Sequence, residues 1–339
     1  MKNTLTRRHF CAAIAAAALL PGWGAARARP RATLTLAGPG AVVSYPLMHM
    51  AATGALAGQA DSVRFRLWQS ADQLRALLVN GDVDFSAAPS TLPALLRNRG
   101  LPVRLLNISV WGILWLVSRD PAIQSFEDLA GHELAVPFQR DLPAVLLDTL
   151  LQAQAARGLA PVKLRRTRDG QDAIALMLGG QAEHALLVEP MASLLLWRAR
   201  QQAGAPALHR GPSLEQAWRA AFPAQPSLPQ AGVMAAVGVA DDAALCQAVD
   251  AAYAASARWC MDHPAECAAL VREHLPHMPQ AALEAAIRQT RLQSRSAREA
   301  RPEIEALYQL LANRYPQAIG GGLPAVLRTK PRQNRPTRA

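Results

Sequence analysis

The chain has 339 residues, of which 51% are hydrophobic and 18% charged, and its formal net charge at pH 7 is +11. Six basic residues lie in the first 31 positions and five follow residue 327, so residues 33–327 carry 25 basic and 25 acidic side chains. A neutral body of this size predicts two lobes or domains with large cores, and it argues against a nucleic-acid-binding surface.

The first residues have the pattern of an export signal. Two arginines in Thr6-Arg7-Arg8-His9-Phe10 precede an apolar run from Cys11 to Leu20, and small residues follow up to Ala28. This apolar run is too short to span a bilayer, and Ala26-Arg27-Ala28 is typical of a cleavage site. The sequence predicts a signal peptide over residues 1–28, cleaved near Ala28, and the paired arginines favour the twin-arginine route. Because no later run reaches membrane-spanning length, we expect a soluble exported protein.

The mature chain begins with a strand, a glycine turn and a helix. Thr33 to Ala37 alternates as a strand does, and Gly38-Pro39-Gly40 turns the chain toward a helix that begins near Ser44. These glycines are not a nucleotide fingerprint, because the third glycine and the acidic residue about twenty positions on are missing. They predict a tight turn that can bring backbone amides to a ligand.

The stretch from Ser70 to Ser90 predicts a helix, a short strand and the start of a second helix. Ser70 is placed as an N-cap, a leucine face follows it, and Gly81 can take the left-handed conformation that ends a helix. A short strand over residues 83–85 is predicted next. The small residues 86–90 then predict a turn that leaves amides free at the start of another helix, which is where α/β sheets bind ligands.

Beyond residue 100 the pattern continues as strands and helices. Trp111–Val117 is apolar and β-branched, and Ser118-Arg119-Asp120-Pro121 breaks it. Further predicted elements are strands at 133–136, 162–165 and 185–188 and helices from Asp141 and over 171–178, followed by a proline-rich irregular stretch at 206–229. From Asp241 to Tyr315 the whole pattern is helical, with helices at 243–261, 264–274, 279–289 and 302–314. Residues 320–339 have charge and proline without an apolar period, and we expect them to be disordered.

Three cysteines remain after removal of the signal. Cys260 and Cys267 flank a predicted helix junction at Asp262-His263-Pro264, so a disulfide across this turn is geometrically possible. With His263 they match no common zinc spacing, and buried apolar cysteines are the favoured interpretation; whether they form a bond stays open. No metal site and no cofactor are predicted.

Several of these motifs, in this order, resemble those of the type II substrate-binding proteins of ABC importers. The nearest group is the one for nitrate, sulfonates, taurine and thiamine-pyrimidine precursors. The resemblance covers about residues 33–318 and rests on Val63–Trp68, Gly81–Phe85, Leu92–Gly100, Asp128–Pro137, Glu189-Pro190, Ala257-Arg258-Trp259 and His263-Pro264.

The resemblance implies an α/β clamshell of two lobes with C-terminal helices. In such a fold, residues 29–120 form the first part of lobe 1, 121–227 form lobe 2, and 228–319 return to lobe 1. Two segments would cross between the lobes, near Trp115 and near Val237. The resemblance further implies a monomeric periplasmic protein that captures a small solute and delivers it to the permease and ATPase subunits of an importer.

Candidate ligand-binding residues lie at the predicted mouths of the strands. They are Gly38, Gly40, Ser44, Ser70, Ala88, Ser90, Trp111, Arg140, Asp141 and Glu189. Helix N-termini at Ser70, Ser90 and Asp141, with Arg140 beside them, favour an anionic group such as a sulfonate. Glu189 favours an amine or a nitrogen heterocycle. For each of these residues a structural role, as a cap, a surface charge or a hinge carboxylate, is equally open, and so is the charge of the ligand.

Enzymatic functions receive less support. The sequence has no Gly-x-Ser-x-Gly, His-Glu-x-x-His or phosphate-binding glycine loop, and His49, His132 and His184 have no motif partners. A thiamine-pyrimidine synthase shares the resembled fold, but the cysteine cluster of such enzymes does not occur here. A periplasmic sensor for a membrane receptor is the other alternative.

Overall fold

The computed structural model describes residues 31–139, 141–202, 204 and 207–324. Within them, the chain forms two sheets flanked by helices and passes from one sheet to the other twice. The predicted signal peptide, Arg140 and the tail from residue 325 lie outside the described residues. In the described part of the chain, every helix is too short or too polar to cross a membrane.

The first sheet is built mainly from the N-terminal third of the chain. Its strands are β1 (Arg31–Gly38), β2 (Ala60–Leu67), β3 (Phe85–Pro89), β4 (Arg104–Leu105), β5 (Asn107–Gly112), β11 (Ala231–Ala235) and β12 (Arg291–Ser296). They lie in the order β12-β5-β11-β3-β1-β2, with β4 beside β11. Because β1 is parallel to both β2 and β3, the carboxyl ends of all three strands meet at one edge. A 3-10 turn (Val42–Ser44) and the helices α1 (Tyr45–Thr53), α2 (Ala71–Val79) and α3 (Thr91–Asn98) connect them.

The second sheet has the same local organisation. Its strands are β6 (Leu114–Ser118), β7 (Glu133–Val136), β8 (Lys163–Arg166), β9 (His184–Val188) and β10 (His209–Ser213), in the order β10-β6-β9-β7-β8. Strand β7 is parallel to both β8 and β9. The helices of this lobe are α4 (Leu142–Ala156), α5 (Gly170–Leu178), α6 (Met191–Gln201) and α7 (Leu214–Ala221).

Four helices complete the first lobe. They are α8 (Ala243–Asp262), α9 (Pro264–His274), α10 (Gln280–Gln289) and α11 (Arg301–Arg314), which agree with the predicted helices to within a residue or two. A disulfide joins Cys260 and Cys267 across the junction of α8 and α9, while Cys246 is a buried thiol. The prediction of buried cysteines is confirmed, and the bond that the sequence left open is formed.

The capping predictions hold for Ser70 and Asp141 but not for Ser90, whose side chain makes no cap hydrogen bond. Ser70 Oγ accepts a hydrogen bond from the Gln73 amide at 3.2 Å, and Asp141 Oδ1 accepts one from the Ala144 amide at 3.4 Å. Gly81 has a φ of +71°, the left-handed conformation predicted after α2.

The strand predicted at 83–85 is displaced. It begins at Phe85 and includes the small residues up to Pro89, which the sequence predicts as a turn with free amides. These residues instead pair with β11 in register, and the Ser90 amide donates to the Gln230 carbonyl at 2.9 Å. The small side chains suit a central strand that lies between β1 and β11.

The crossings differ in position from the prediction. Residues 114–118 already belong to the second sheet, so the first crossing occurs at Ile113, between β5 and β6. Residues 231–235 lie in the first sheet as β11, so the second crossing precedes them, at 222–230. The prediction of a crossing near Val237 is therefore wrong.

Four elements and part of the tail were missed, the first of them helix α6, which follows β9. Strand β10 and helix α7 lie within the stretch predicted as irregular, and β12 interrupts the region predicted as wholly helical. Gly320 to Pro324, predicted as disordered, pack against α3, where the Asn98 amide donates to the carbonyls of Ile319 and Gly322. The Asn98 side chain thus holds the start of this segment in place.

Candidate functional site

The predicted mouth of the first lobe is a contiguous group of small and polar residues at the carboxyl ends of β1 and β3. A side chain at Gly38 would overlap Ser44, and would also approach Ala87. The Trp68 amide donates to the Gly38 carbonyl at 3.0 Å, and its indole N–H donates to Ser86 Oγ at 3.1 Å. Glycine at position 38 is thus required for the close approach of the turn to the end of β1.

Two hydroxyl groups in this mouth are buried and have no hydrogen-bond partner in the part of the chain that the structure describes. Ser44 and Tyr45 are both 0% exposed, and neither Ser44 Oγ nor the Tyr45 hydroxyl has a partner among the described residues. A buried hydroxyl without a partner costs about 1–3 kcal/mol, so such a group is expected to have one in the functional protein. Burial, and next the Glu189 carboxylate, raise the pKa of the Tyr45 phenol far above its ordinary value, so the hydroxyl stays a donor.

Glu189, at the end of β9 in the second lobe, is fully buried and extensively paired. Its carboxylate accepts hydrogen bonds from the Ser193 amide and the Ser193 hydroxyl, each at 3.0 Å, and from Arg210 Nη1 at 2.6 Å. The Arg210 guanidinium also donates to Ser193 Oγ and lies 5.0 Å from the centroid of the Trp115 ring. The charge of Glu189 is therefore compensated within the second lobe.

Glu189 also lies at the crossing between the lobes. Its amide donates to the Ile113 carbonyl at 2.9 Å, and its charge acts on Tyr45 of the first lobe. The Trp115 indole donates to the Gln289 carbonyl at 3.1 Å, and α6 contacts α10. These contacts place the mouth of the first sheet against that of the second.

Gln230 adds a third polar group at the same edge of the first sheet. It is 5% exposed, and neither Nε2 nor Oε1 of its side chain has a partner among the described residues. Its backbone is fixed on both sides, because its amide donates to the Val110 carbonyl and its carbonyl accepts from Ser90. Since β11 is antiparallel to β3, Gln230 stands beside the carboxyl end of β3, at the mouth.

The other predicted residues have identifiable structural contacts. Ser70 and Asp141 are exposed helix caps, and Ala88 lies within the ladder of β3 and β11. Ser90 Oγ donates to the Pro229 carbonyl at 2.5 Å, and the Ser90 carbonyl accepts from the Tyr308 hydroxyl. Ser90 thereby ties β3 to the second crossing.

Trp111 and Gly40 are held by the C-terminal part of the chain. The Trp111 indole N–H donates to the Gln293 carbonyl at 2.8 Å, and the Arg295 guanidinium lies 4.9 Å from the centroid of its ring. Gly40 is adjacent to Leu275. The ligand-binding roles of all these residues remain predictions, and Arg140 lies outside the described residues.

Sequence reasoning missed Arg210, the partner of Glu189, and the buried amide of Gln230. Arg210 is 21 positions from Glu189, in a stretch that the prolines mark as irregular, and Gln230 is an isolated amide directly after this stretch. One signal was available: Ser213-x-x-Gln216 is a capping box, which predicts a helix start and hence order near Arg210.

Two open depressions lie elsewhere, on the second lobe, with volumes of about 220 and 180 Å³. They are lined mainly by α4, α7 and adjoining loops, and they include none of the predicted ligand-binding residues. Gln154 is the one buried polar residue in their described walls, whereas the mouth between the lobes provides several, so we assign the candidate site to the mouth.

The fold, but not the family, is shown by comparison with known proteins. No protein-family model matches the chain, and no curated protein matches it. Among solved structures, an ABC transporter protein from Parabacteroides distasonis is 20% identical, with a TM-score of 0.69 over 89% of this chain and 100% of that one. The periplasmic aliphatic sulphonate binding protein SsuA from Escherichia coli is 14% identical, with a TM-score of 0.65 over 91% and 95%. The periplasmic nitrate-binding protein NrtA from Synechocystis is 15% identical, with a TM-score of 0.57 over 79% and 74%. The two-lobed α/β fold predicted from the sequence is thereby confirmed.

Proposed function

We propose that this chain is the periplasmic substrate-binding protein of an ABC importer, which captures a small solute between its two lobes and delivers it to a membrane permease. The observation that carries this proposal is the pair of buried, unpartnered hydroxyls of Ser44 and Tyr45 in one lobe, opposite the Glu189–Arg210 pair of the other. A solute between the lobes would supply the missing partners and would contact both lobes. The fold shared with sulfonate- and nitrate-binding proteins supports the same function.

The polar groups of the mouth favour a ligand that accepts hydrogen bonds. Ser44 Oγ, the Tyr45 hydroxyl and Gln230 Nε2 are neutral donors, and Glu189 is already compensated by Arg210. A sulfonate, taurine or nitrate-like anion fits these donors, and their number suits oxygen atoms arranged around one centre. A pyrimidine-type ligand is the alternative, since ring nitrogens also accept hydrogen bonds.

A thermal-shift screen of the purified protein tests the ligand class. Taurine, alkanesulfonates, nitrate, aminopyrimidines and polyamines are compared, because a ligand at a hundred times its dissociation constant adds about 2.7 kcal/mol to the free energy of unfolding. We expect a sulfonate or taurine to stabilise the protein and to reduce its radius of gyration in small-angle scattering, because closure requires contacts with both lobes. Stabilisation by a polyamine alone would refute the anion assignment, and binding at a fixed radius would refute closure.

Replacement of Tyr45 by phenylalanine tests the site itself. The substitution removes a hydroxyl that has no partner among the described residues, so we expect the free energy of unfolding to stay the same or rise. The affinity for the ligand found in the screen should fall at least roughly tenfold, the loss of one hydrogen bond to a charged group.

Tyr253→Phe is the matched control. The Tyr253 hydroxyl is also buried, but it bonds Ser109 Oγ and the Val43 carbonyl, each at 2.8 Å. Its removal should lower stability by about 1–2 kcal/mol and leave ligand affinity unchanged. If Tyr45→Phe behaved like Tyr253→Phe, the Tyr45 hydroxyl would be structural and the site would lie elsewhere.

A further inference from the structure

Three side chains with metal-binding atoms meet at the edge of the second sheet that lies away from the mouth. His132 directly precedes β7, while Glu183 precedes β9 and His184 begins it; one potential ligand atom from each lies within 4.8 Å of the others. They meet because β7 and β9 are parallel neighbours, with Ala135 paired to Ala185, so their amino ends share one edge. The two imidazole rings are 5.2 Å apart in an edge-to-face arrangement.

The buried histidine of this group has a defined hydrogen bond on one ring nitrogen and none on the other. His184 is 1% exposed, and its Nδ1 lies 2.9 Å from Ser118 Oγ. The single proton of the Ser118 hydroxyl is directed to the Asp120 carbonyl at 2.9 Å, so Ser118 Oγ accepts from Nδ1–H of His184. In this tautomer Nε2 carries a lone pair.

That lone pair has no partner within the described part of the chain, although Nε2 is buried. An imidazole whose Nδ1–H is held by a hydrogen bond and whose Nε2 is open has the arrangement that metal-ligating histidines adopt. The other two groups are accessible, because His132 and Glu183 are both exposed. The site can therefore be reached from solvent.

Two arginines that bind neighbouring carbonyls form no ion pair with Glu183. Arg119 donates to the carbonyls of Met177 and Ala182, and Arg165 pairs with Glu133 and donates to the Gln181 carbonyl. Among the described residues, Glu183 forms no side-chain hydrogen bond or ion pair. The carboxylate is thus available beside the two imidazoles.

We propose that His132, Glu183 and His184 bind one divalent transition-metal cation, with Zn²⁺ as the expected ion. Two imidazole nitrogens and one carboxylate oxygen suit Zn²⁺ and its neighbours, whereas Ca²⁺ and Mg²⁺ prefer oxygen ligands throughout. At about 3.3 Å per residue, β9 separates this site from Glu189 by roughly 13–17 Å, so the cation lies outside the solute site. The bound cation would join the starts of β7 and β9 and stabilise the second lobe.

Zinc titration of the purified protein, carrying a tag without histidine and freed of metal by a chelator, tests this proposal. Isothermal calorimetry should show one Zn²⁺ per chain, and His132→Ala and Glu183→Gln should each weaken binding at least tenfold. Both residues are exposed, so the variants are expected to fold, which the buried His184 would not guarantee. His277→Ala, an exposed histidine of the first lobe, is the control and should leave binding unchanged.

X-ray absorption of the zinc complex provides the second readout. We expect nitrogen and oxygen ligands at about 2.0–2.2 Å with imidazole scattering, and no sulfur. Zn²⁺ should also raise the melting temperature of the wild type and not that of His132→Ala. Absence of saturable binding, or equal affinity in the wild type and both exposed variants, would overturn the proposal.

Discussion

Among the described residues, Glu189 and Arg210 form the most strongly buried ion pair, with 0% exposure of the Glu189 side chain and 16% exposure of the Arg210 side chain. Arg210→Met leaves this carboxylate buried beside Ser193 alone. We expect it to lower the free energy of unfolding by about 3–5 kcal/mol, because an uncompensated buried charge is costly. Urea denaturation measures the change.

Two further variants serve as comparisons: one separates the charge of Arg210 from its packing, and the other measures the cost of breaking an exposed ion pair. The double variant Arg210→Met with Glu189→Gln should recover part of the loss, because the buried charge is gone. Arg301→Met breaks an exposed pair with Glu305 on α11 and should cost less than about 1 kcal/mol. Equal losses for Arg210→Met and the double variant would show that packing of Arg210 against Trp115 matters more than the charge.

His49 makes stability depend on pH. Its Nδ1 lies 2.9 Å from Ser256 Oγ, its ring stacks on Trp259 at 4.1 Å, and burial lowers its pKa below the ordinary value of 6.5. The unfolded chain therefore binds a proton at a higher pH than the folded chain does. Stability from this group is present above pH 6.5 and is lost as the pH falls below it.

We expect His49→Gln to reduce the loss of stability between pH 7.5 and 5.5, measured by urea denaturation at both values. The loss should not vanish, because burial also lowers the pKa of His274. An undiminished loss in the variant would contradict the assignment to His49.

At the scale of elements, the close packing of β11 depends on Gly232. A side chain there would overlap the Asn107 carbonyl, which belongs to the backbone of β5 and cannot rotate away. We expect Gly232→Ala to lower the free energy of unfolding by about 3 kcal/mol. Gly58→Ala is the matched control, since nothing lies within 4 Å of its added carbon, and it should change stability little. Similar effects of the two substitutions on the melting temperature would refute this account.

The elements that the sequence predicted correctly are those whose signals are local. Helices α8 to α11 have an apolar period and, in several cases, proline in the first turn, and α2 has the Ser70 cap. Strand β12 has the sequence Arg-Leu-Gln-Ser-Arg-Ser, with one large apolar residue. It is a strand because it pairs with the edge of β5, and this pairing leaves no pattern in its own residues.

The candidate site was predictable to a similar extent. The turn at Gly38, Ser44 and Glu189 are recognisable from their positions after strands. The pairing of Glu189 with Arg210, and the meeting of His132 with His184, join residues that are 21 and 52 positions apart. Such pairs depend on the order of strands in the sheet, and that order cannot be read from the residues of either segment alone.

At the scale of the whole molecule, hydrogen bonds between α4 and the end of α11 also hold the lobes together. Gln152 of α4, in the second lobe, donates to the Tyr315 hydroxyl at 2.9 Å and accepts from Arg314 at 3.4 Å, both at the end of α11 in the first lobe. We expect Gln152→Ala to weaken binding of the solute found in the screen about two- to tenfold, because one net hydrogen bond that favours closure is lost. The radius of gyration at saturating solute should stay that of the wild type.

Gln309→Ala is the control for this effect. Gln309 bonds Asn313 within α11 and lies on the same helix, so its loss should leave affinity unchanged. If both variants weakened binding equally, the effect would arise from α11 itself and not from the contact between lobes.

The single residue between β5 and β6 limits how the two lobes can move if a solute closes them as proposed. Ile113 is the only residue between the last position of one sheet and the first of the other, and the second crossing carries Pro223, Pro226 and Pro229, whose rings fix φ. In the proposed closure, rotation would therefore be centred near Ile113. Because the Ile113 carbonyl accepts a hydrogen bond from the Glu189 amide, the Glu189 network would lie close to this centre, where displacement is smallest, and the outer rims of the lobes would travel furthest.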